Sequence, residues 1–246
     1  MCSPDLAEGV VPVREVLLSE AANAGLLYTD DTSMRVLEYM GKRRAKLEAT
    51  GALEDPERTG LYTTGVVAKN EGHTIVLYFT GRQHAGENLN DLLDRRDPER
   101  IAPTHMCDGL DRNRPPDHPV IEANCMAHGR RGIVEEGADF PGECRHVLEQ
   151  LRIVFRNEAT CQAQGLSALE RLAYHQLHSK SIMDNLKAWI AATDQEHRIE
   201  PNSGFGKALA YLTKRWDKLT LFLTVPGAPL ENNACERVLK LAIRHR

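Results

Sequence analysis

An α/β domain built on a mixed sheet and interrupted by a large all-helical section is the fold the sequence predicts. Three observations predict it. Short β-branched and aromatic runs crowd the stretch from Gly25 to Asn124, the periodicity from Ala127 to about Glu200 is helical throughout, and a last helical stretch follows a Pro-Gly stop near the end of the chain. These observations divide the 246 residues into a lead-in over 1–24, a sheet-bearing core over 25–131, a helical insertion over 132–200 and C-terminal helices over 201–246 that complete the core.

The strand signals come first. Leu26 to Thr32, Leu61 to Ala68 and Thr74 to Thr80 are strand-length runs, and Lys69-Asn-Glu-Gly72 between the last two reads as a hairpin turn, which makes them antiparallel neighbours. His84 to Arg95 reads as a helix, with Leu89, Leu92 and Leu93 on one face. A short strand ending near Cys107, a Pro-rich loop around Arg114-Pro-Pro-Asp117 and another short strand over Pro119 to Ala123 complete the sheet.

Helical spacing then takes over. Val147, Leu148, Leu151, Val154 and Phe155 form one apolar stripe, Leu169, Leu172, Ala173 and Leu177 a second, and Ile182, Leu186, Trp189 and Ile190 a third. His175 and His178, one turn apart on the second stretch, read as solvent-facing. Ser203 to Leu223 reads as one further helix, stopped by Val225-Pro-Gly-Ala-Pro229, and Asn232 to about Ile243 as the last.

Composition bounds the function. With 41% hydrophobic and 27% charged residues the chain is of ordinary globular make-up, which removes collagen-like, disordered and coiled-coil classes. Its longest apolar runs, such as Thr74 to Phe79, fall far short of the roughly 20 residues of a membrane span. Met1 to Val13 carries Asp5 and Glu8 and does not read as a secretory signal, so a cytoplasmic protein with reduced thiols is expected. The six cysteines (Cys2, Cys107, Cys125, Cys144, Cys161 and Cys235) are scattered; Cys125-Met-Ala-His128 has the spacing of half a zinc site, with no second pair to complete it. The net charge of −4 argues against a protein that coats nucleic acid, but it is unevenly spread. From Ser203 onward eight basic residues face three acidic ones, a net +5 that leaves −9 elsewhere. A basic C-terminal fifth can face a polyanion.

Four carboxylates stand out by placement. Asp30 and Asp31 lie at the end of the first strand, Asp108 directly follows the fourth, and Glu236 lies in the terminal helix. Carboxylates at strand ends beside a helix carboxylate are what a site for two hard divalent ions requires. Bland readings account for the same positions: Asp30 and Asp31 ending a strand with an Asx turn at Thr32-Ser33, an Asp108-Gly109 turn, and a capping box between Asn233 and Glu236. Strand alternation puts Asp30 and Asp31 on opposite faces without choosing between them.

Five segments carry a family resemblance: Tyr28-Thr-Asp-Asp-Thr32, His84-Ala-Gly-Glu-Asn88, Met106-Cys-Asp-Gly-Leu-Asp-Arg-Asn113, Cys125-Met-Ala-His-Gly-Arg-Arg131 and Gly227-Ala-Pro-Leu-Glu-Asn-Asn-Ala-Cys-Glu-Arg237. In this order they resemble consecutive blocks of the transposases of the insertion sequence 66 family, from about Gly25 to Arg246. That resemblance implies an RNase H-like catalytic core of the DDE type, with a large all-α insertion before the final catalytic helix. It implies Asp30, Asp108 and Glu236 as the catalytic, metal-binding triad, with the first of the two adjacent aspartates preferred. It further implies two Mg²⁺ or Mn²⁺ ions, and transposon-end and target DNA as substrates. A second copy of the chain and accessory proteins of the same element are the implied partners, at the nucleoid of a bacterial cytoplasm, with no membrane.

Basic neighbours fit a DNA substrate. Lys240 lies four residues from Glu236 on one helix face, flanked by Arg237 and Arg244, while His128, Arg130 and Arg131 open the helix after the last strand. The plain alternatives are a Glu236–Lys240 ion pair and a surface Arg-Arg pair. Two departures from the family are visible: Glu231 replaces the usual aspartate before Asn232-Asn233, and the chain stops at Arg246 where relatives continue, as a truncated copy would. Two other readings compete: an RNase H-like nuclease without strand transfer, and an inactive remnant that serves as a DNA-binding module.

Overall fold

The computed structural model describes residues 4–35, 40–51 and 60–244; Cys2 and the terminal Arg246 lie outside them. The chain forms two compact units, one of Met1–Ile121 with Asn233–Arg246 and one of Glu122–Asn232. The expected divisions at 131 and 200 thus stand beside observed ones at 121 and 232. Among the described residues no helix is long and apolar enough to cross a membrane.

A helix over Pro4–Ala22 (α1) opens the first unit, where only a lead-in was expected. Then come β1 (Leu26–Arg35), α2 (Gly41–Ala49), β2 (Gly60–Asn70), β3 (His73–Gly81), α3 (Ala85–Leu93), β4 (Thr104–Cys107) and β5 (Ile121–Asn124), whose last residues begin the second unit. The sheet order is β3-β2-β1-β4-β5. β2 pairs antiparallel with both β1 and β3, and β2 and β3 are joined as anticipated by the turn at Glu71-Gly72, where Gly72 takes a φ of 85° that suits glycine. β1 and β4 run parallel, with Tyr28 beside Met106. This mixed α/β sheet is compatible with an RNase H-like fold.

Alternation along the strands gives each face its layer. One face presents Leu27, Val66, Ala68 and Ile75 to Leu89, Leu92 and Leu93 of α3 and to Leu18, Ala21 and Ala22 of α1. At about 1.5–3 kcal/mol per fully buried large aliphatic side chain, this layer is the main stabilising contact of the unit. The last helix of the chain, introduced below, covers the other face.

The second unit is helical: α4 (Met126–Glu135), α5 (Pro141–Ala163), α6 (Ala168–His178), α7 (Lys180–Gln195), α8 (Gly204–Lys214) and α9 (Trp216–Leu219), followed by a single 3₁₀ turn over Leu221–Leu223. Its core gathers Ile133, Val147, Leu151, Val154, Leu186 and Phe205. Start signals are local. Pro141 opens α5, the Ser167 and Glu170 side chains cap α6 reciprocally, and the Ser203 hydroxyl accepts from the Gly206 N–H. α4 lies close on α8 because residue 129 is glycine; a Cβ there would stand 2.5 Å from Leu212.

Two expectations are corrected in this unit. The single helix expected over Ser203 to Leu223 is broken into α8, α9 and the 3₁₀ turn; near the breaks the Thr213 and Thr220 hydroxyls bond back to the carbonyls of Leu209 and Trp216. His175 faces inward, only 1% exposed, while Leu169 and Leu177 of the expected apolar stripe are 69% and 74% exposed. The reason is a buried carboxylate. Glu158 Oε2 lies 2.9 Å from His175 Nε2, Gln162 donates to Oε1, the Arg171 guanidinium forms an ion pair with Oε1 at 3.2 Å, and His175 Nδ1 meets the Ser179 hydroxyl. Burial pushes the Glu158 pKa up, but the bonds from His175 and Gln162 and the Arg171 charge outweigh it and hold the group below its ordinary value. A charge buried this deeply needs such partners, and they draw α6 inward on its polar side.

Candidate active site: a carboxylate cluster on the sheet

Asp30 is set by strand register, in the middle of β1 rather than at the strand end expected for it, because β1 stays paired with β2 as far as Arg35 and Gly60. On β1 it pairs with Gly65 of β2, whereas Asp31 pairs with Thr64. The last helix of the chain, α10 (Asn233–Arg244), packs over β1 and β2 on the Asp30 face. Glycine at 65 makes room for it: a Cβ there would stand 3.1 Å from Leu239 and 3.3 Å from Cys235 Sγ. The Cys235 thiol donates to the Gly65 carbonyl at 3.2 Å, and the Tyr78 hydroxyl donates to the Val238 carbonyl at 2.8 Å. Cys235 and Leu239, four residues apart, are the buried side of the helix. Glu236 follows Cys235 and is half-buried.

Asp108 arrives from the neighbouring parallel strand, as the first residue after β4. Its Oδ1 accepts two hydrogen bonds, from the Leu110 N–H at 2.9 Å and from the Asn113 side-chain amide at 2.7 Å. Asp30 Oδ1 accepts the Asp31 N–H at 2.9 Å.

These three carboxylates feel one another. The Asp30 carboxyl is pushed from its ordinary 3.8 to about 7, by burial first, then by the charge of Asp108, with smaller contributions from Asp31 and Glu236; the Asp31 N–H bond opposes the rise. The Cys235 thiol is pushed up as well, by burial and then by Asp30 and Glu236. Asp30, Asp108 and Glu236, from three separate elements, therefore form one electrostatic cluster.

Asp31 has a different role. Its carboxylate, 3% exposed, meets His84 Nδ1 at 3.0 Å and Arg112 at 3.4 Å, and the His84 ring packs on Tyr62 with centroids 4.1 Å apart. His84 directly precedes α3, where the Glu87 carboxylate accepts its backbone N–H. The loop after Asp108 packs on the same helix: a Cβ at Gly86 would stand 2.2 Å from the Arg114 carbonyl. One of the two adjacent aspartates is thus neutralised by basic partners and the other faces like charges.

Arg237, Lys240 and Arg244 are exposed on α10. Arg237 Nε donates to the Asn233 carbonyl at 3.1 Å, and the ion pairs among the described residues do not include Glu236–Lys240. The helix begins at Asn233 itself, the residue expected to cap it. His128, Arg130 and Arg131 belong to α4 of the second unit. Both arginines are exposed, and the half-buried His128 has a buried Nδ1 without a hydrogen-bond partner. The Cys125 sulfur accepts the Asn232 N–H at 3.2 Å. Glu158, Cys161 and His175 bring ligand atoms within 4.8 Å of one another, but Arg171, Gln162 and His175 already engage the carboxylate.

Sequence reasoning missed Gly65, Asn113 and the Asp31 partners His84 and Arg112. Gly65 had a visible signal, a glycine inside a β-branched run. Asn113 closes the resemblance segment that starts at Met106, but nothing in that segment marked its amide as a partner of Asp108.

Comparison with known proteins gives two matches. The family described as "Transposase IS66 family" matches residues 4–246. The "Uncharacterized protein y4hP" of Sinorhizobium fredii (strain NBRC 101917 / NGR234) is 34% identical over 134 residues, 50% of this chain and 24% of that protein. The similarity thus spans about a quarter of that relative's length. No solved structure matches the chain.

Proposed function

Since the chain belongs to the IS66 family of transposases, we propose that its first unit is a catalytic core for metal-assisted phosphoryl transfer on DNA, cleaving the ends of an insertion sequence and joining them to a target. Asp30, Asp108 and Glu236 are the proposed catalytic and metal-binding residues. The observation that carries this reading is the electrostatic coupling of the three carboxylates: burial first, then the charge of Asp108 and, less, that of Glu236 raise the Asp30 pKa to about 7.

The donor set fits Mg²⁺ or Mn²⁺. Carboxylate oxygens are the hard ligands these ions prefer, and three mutually repelling carboxylates in a part-buried site gain most from divalent charge. Two such ions, when bound, supply Lewis-acid polarisation of the phosphoryl oxygens and a lowered pKa for the attacking water or 3′-hydroxyl. The residues of the chain prepare that chemistry. Asp30 gives up the proton it partly holds near neutral pH, Asp108 is held by Leu110 and Asn113, and Glu236 is held over the strands by the seat of α10 on Gly65.

Arg237, Lys240 and Arg244 are proposed to contact the phosphates of the substrate from the exposed face of α10, and His128, Arg130 and Arg131 to do so from the second unit. The proposed partners are transposon-end and target DNA, a second copy of the chain and other proteins of the same element, at the nucleoid of a bacterial cytoplasm. The test is nicking of a transposon-end duplex in Mg²⁺ or Mn²⁺. Cleavage that is lost in Asp108→Ala supports the reading, and strand joining in the same assay separates a transposase from a nuclease. A folded protein that binds the duplex and neither cuts nor joins it is a remnant.

A further inference from the structure

β3 (His73–Gly81) is the last strand of the sheet on one side. It pairs with β2 residue for residue, from Asn70–His73 to Tyr62–Gly81 without a bulge, and among the described residues no other backbone hydrogen bond reaches it. Alternate residues therefore aim their N–H and C=O groups away from β2. Such an edge is a template for a further strand, and chains commonly blunt it with Lys, Pro or a bulge. His73-Thr-Ile-Val-Leu-Tyr-Phe-Thr-Gly81 contains no Asp, Glu, Lys, Arg or Pro. Its side chains are apolar on both faces. Val76 and Tyr78, on the side of α10, are 39% and 44% exposed, while Leu77 and Phe79, on the side of α3, are half-buried.

The same residues specify what fits there. About Leu77 the strand is close to a chemical palindrome, with threonine at 74 and 80 and a branched aliphatic matched by an aromatic at 75 and 79 and at 76 and 78. When a second copy lies antiparallel with Leu77 opposite Leu77, the facing pairs are Thr74 with Thr80, Ile75 with Phe79 and Val76 with Tyr78, each formed twice. Thr–Thr and aromatic–β-branched pairs are the favoured cross-strand neighbours, and no like charges meet.

We infer that β3 is the edge by which two copies of the chain join, antiparallel about a two-fold at Leu77. Such a pairing is closed and stops at a dimer. It continues two five-stranded sheets into one and sets both α10 faces on the same side. The two β1 strands then lie five strand spacings apart, roughly 24 Å. On the proposed reading of Asp30, Asp108 and Glu236, two catalytic sites face one way at that spacing. The pairing itself stands apart from that reading and names the surface for the second copy proposed above.

The test is sedimentation of the full chain across micromolar concentrations, with circular dichroism melts as a check on folding. Val76→Lys puts a charge opposite Tyr78 of the other copy, and Val76→Thr keeps the β-branch. Expected are a reversible dimer for the wild type and Val76→Thr, and a dissociation constant at least about tenfold higher for folded Val76→Lys, whose change acts twice across the two-fold. A second measurement reads the register. Thr74→Cys mixed with Thr80→Cys should give a disulfide-linked dimer on mild oxidation, since Cβ atoms of facing residues lie about 5 Å apart, and Thr74→Cys alone should not. If Val76→Lys fails to fold, this cross-link decides. A wild type that stays monomeric at every concentration overturns the inference, as does a dimer that folded Val76→Lys keeps or that gives no link in the mixed sample. None of these outcomes touches the cleavage test of the carboxylate site.

Discussion

Replacing Asp30 by asparagine should stabilise the metal-free protein, and do so in a pH-dependent way. The change keeps the shape of the side chain and removes its charge. A carboxyl that titrates at about 7 in the folded chain against 3.8 ordinarily binds its proton more tightly folded than unfolded. Stability therefore falls as pH rises through that window, and the penalty is complete above about pH 7. At about 1.4 kcal/mol per pH unit the full penalty is on the order of 4 kcal/mol. Local relaxation and water entry reduce it, so a gain of about 1–3 kcal/mol is expected at pH 8, or roughly 2–12 °C in Tm at about 2–4 °C per kcal/mol. The assay is thermal denaturation with a chelator at pH 8, 6 and 4. The advantage of the variant should shrink below pH 7 and vanish near pH 4, and added Mn²⁺ should stabilise the wild type only. A variant no more stable than wild type at pH 8, or an advantage independent of pH, refutes the electrostatic argument.

The remaining predictions concern packing. Gly65→Ala places a methyl group 3.1 Å from Leu239, which should displace α10 at a cost of about 1–3 kcal/mol in urea denaturation and weaken Mn²⁺ binding through Glu236. Glu158→Ala strips the buried partner from His175 and Arg171 and should cost about 3–5 kcal/mol, read as an earlier melt of the second unit by circular dichroism. Leu177→Ser, on the exposed side of α6, should change stability by less than about 0.5 kcal/mol in the same denaturation assay.

Much of the sheet was legible because its signals are local. The hairpin at Lys69 to Gly72 and the leucine stripe of α3 depend on turn chemistry and periodicity, and both are observed. The inward turn of His175 was not legible, because it depends on Glu158, seventeen residues away on another helix. Periodicity read Leu169 and Leu177 as the buried side; a single buried charge outweighed it. The choice between Asp30 and Asp31 was likewise beyond pattern, since adjacent strand residues differ only in the face they present. What separates them is partners from distant segments: His84 and Arg112 for Asp31, Asp108 and Glu236 for Asp30. The basic excess after Ser203 is partly explained, because its α10 members Arg237, Lys240 and Arg244 are all exposed.

Whether divalent ions bind at Asp30, Asp108 and Glu236 is most directly measured by anomalous scattering from crystals grown in Mn²⁺. The account predicts manganese peaks within coordination distance, about 2.0–2.3 Å, of oxygens of Asp30, Asp108 and Glu236, and loss of those peaks in Asp108→Ala. Manganese found only elsewhere, with these carboxylates bonded to protein groups alone, would contradict it.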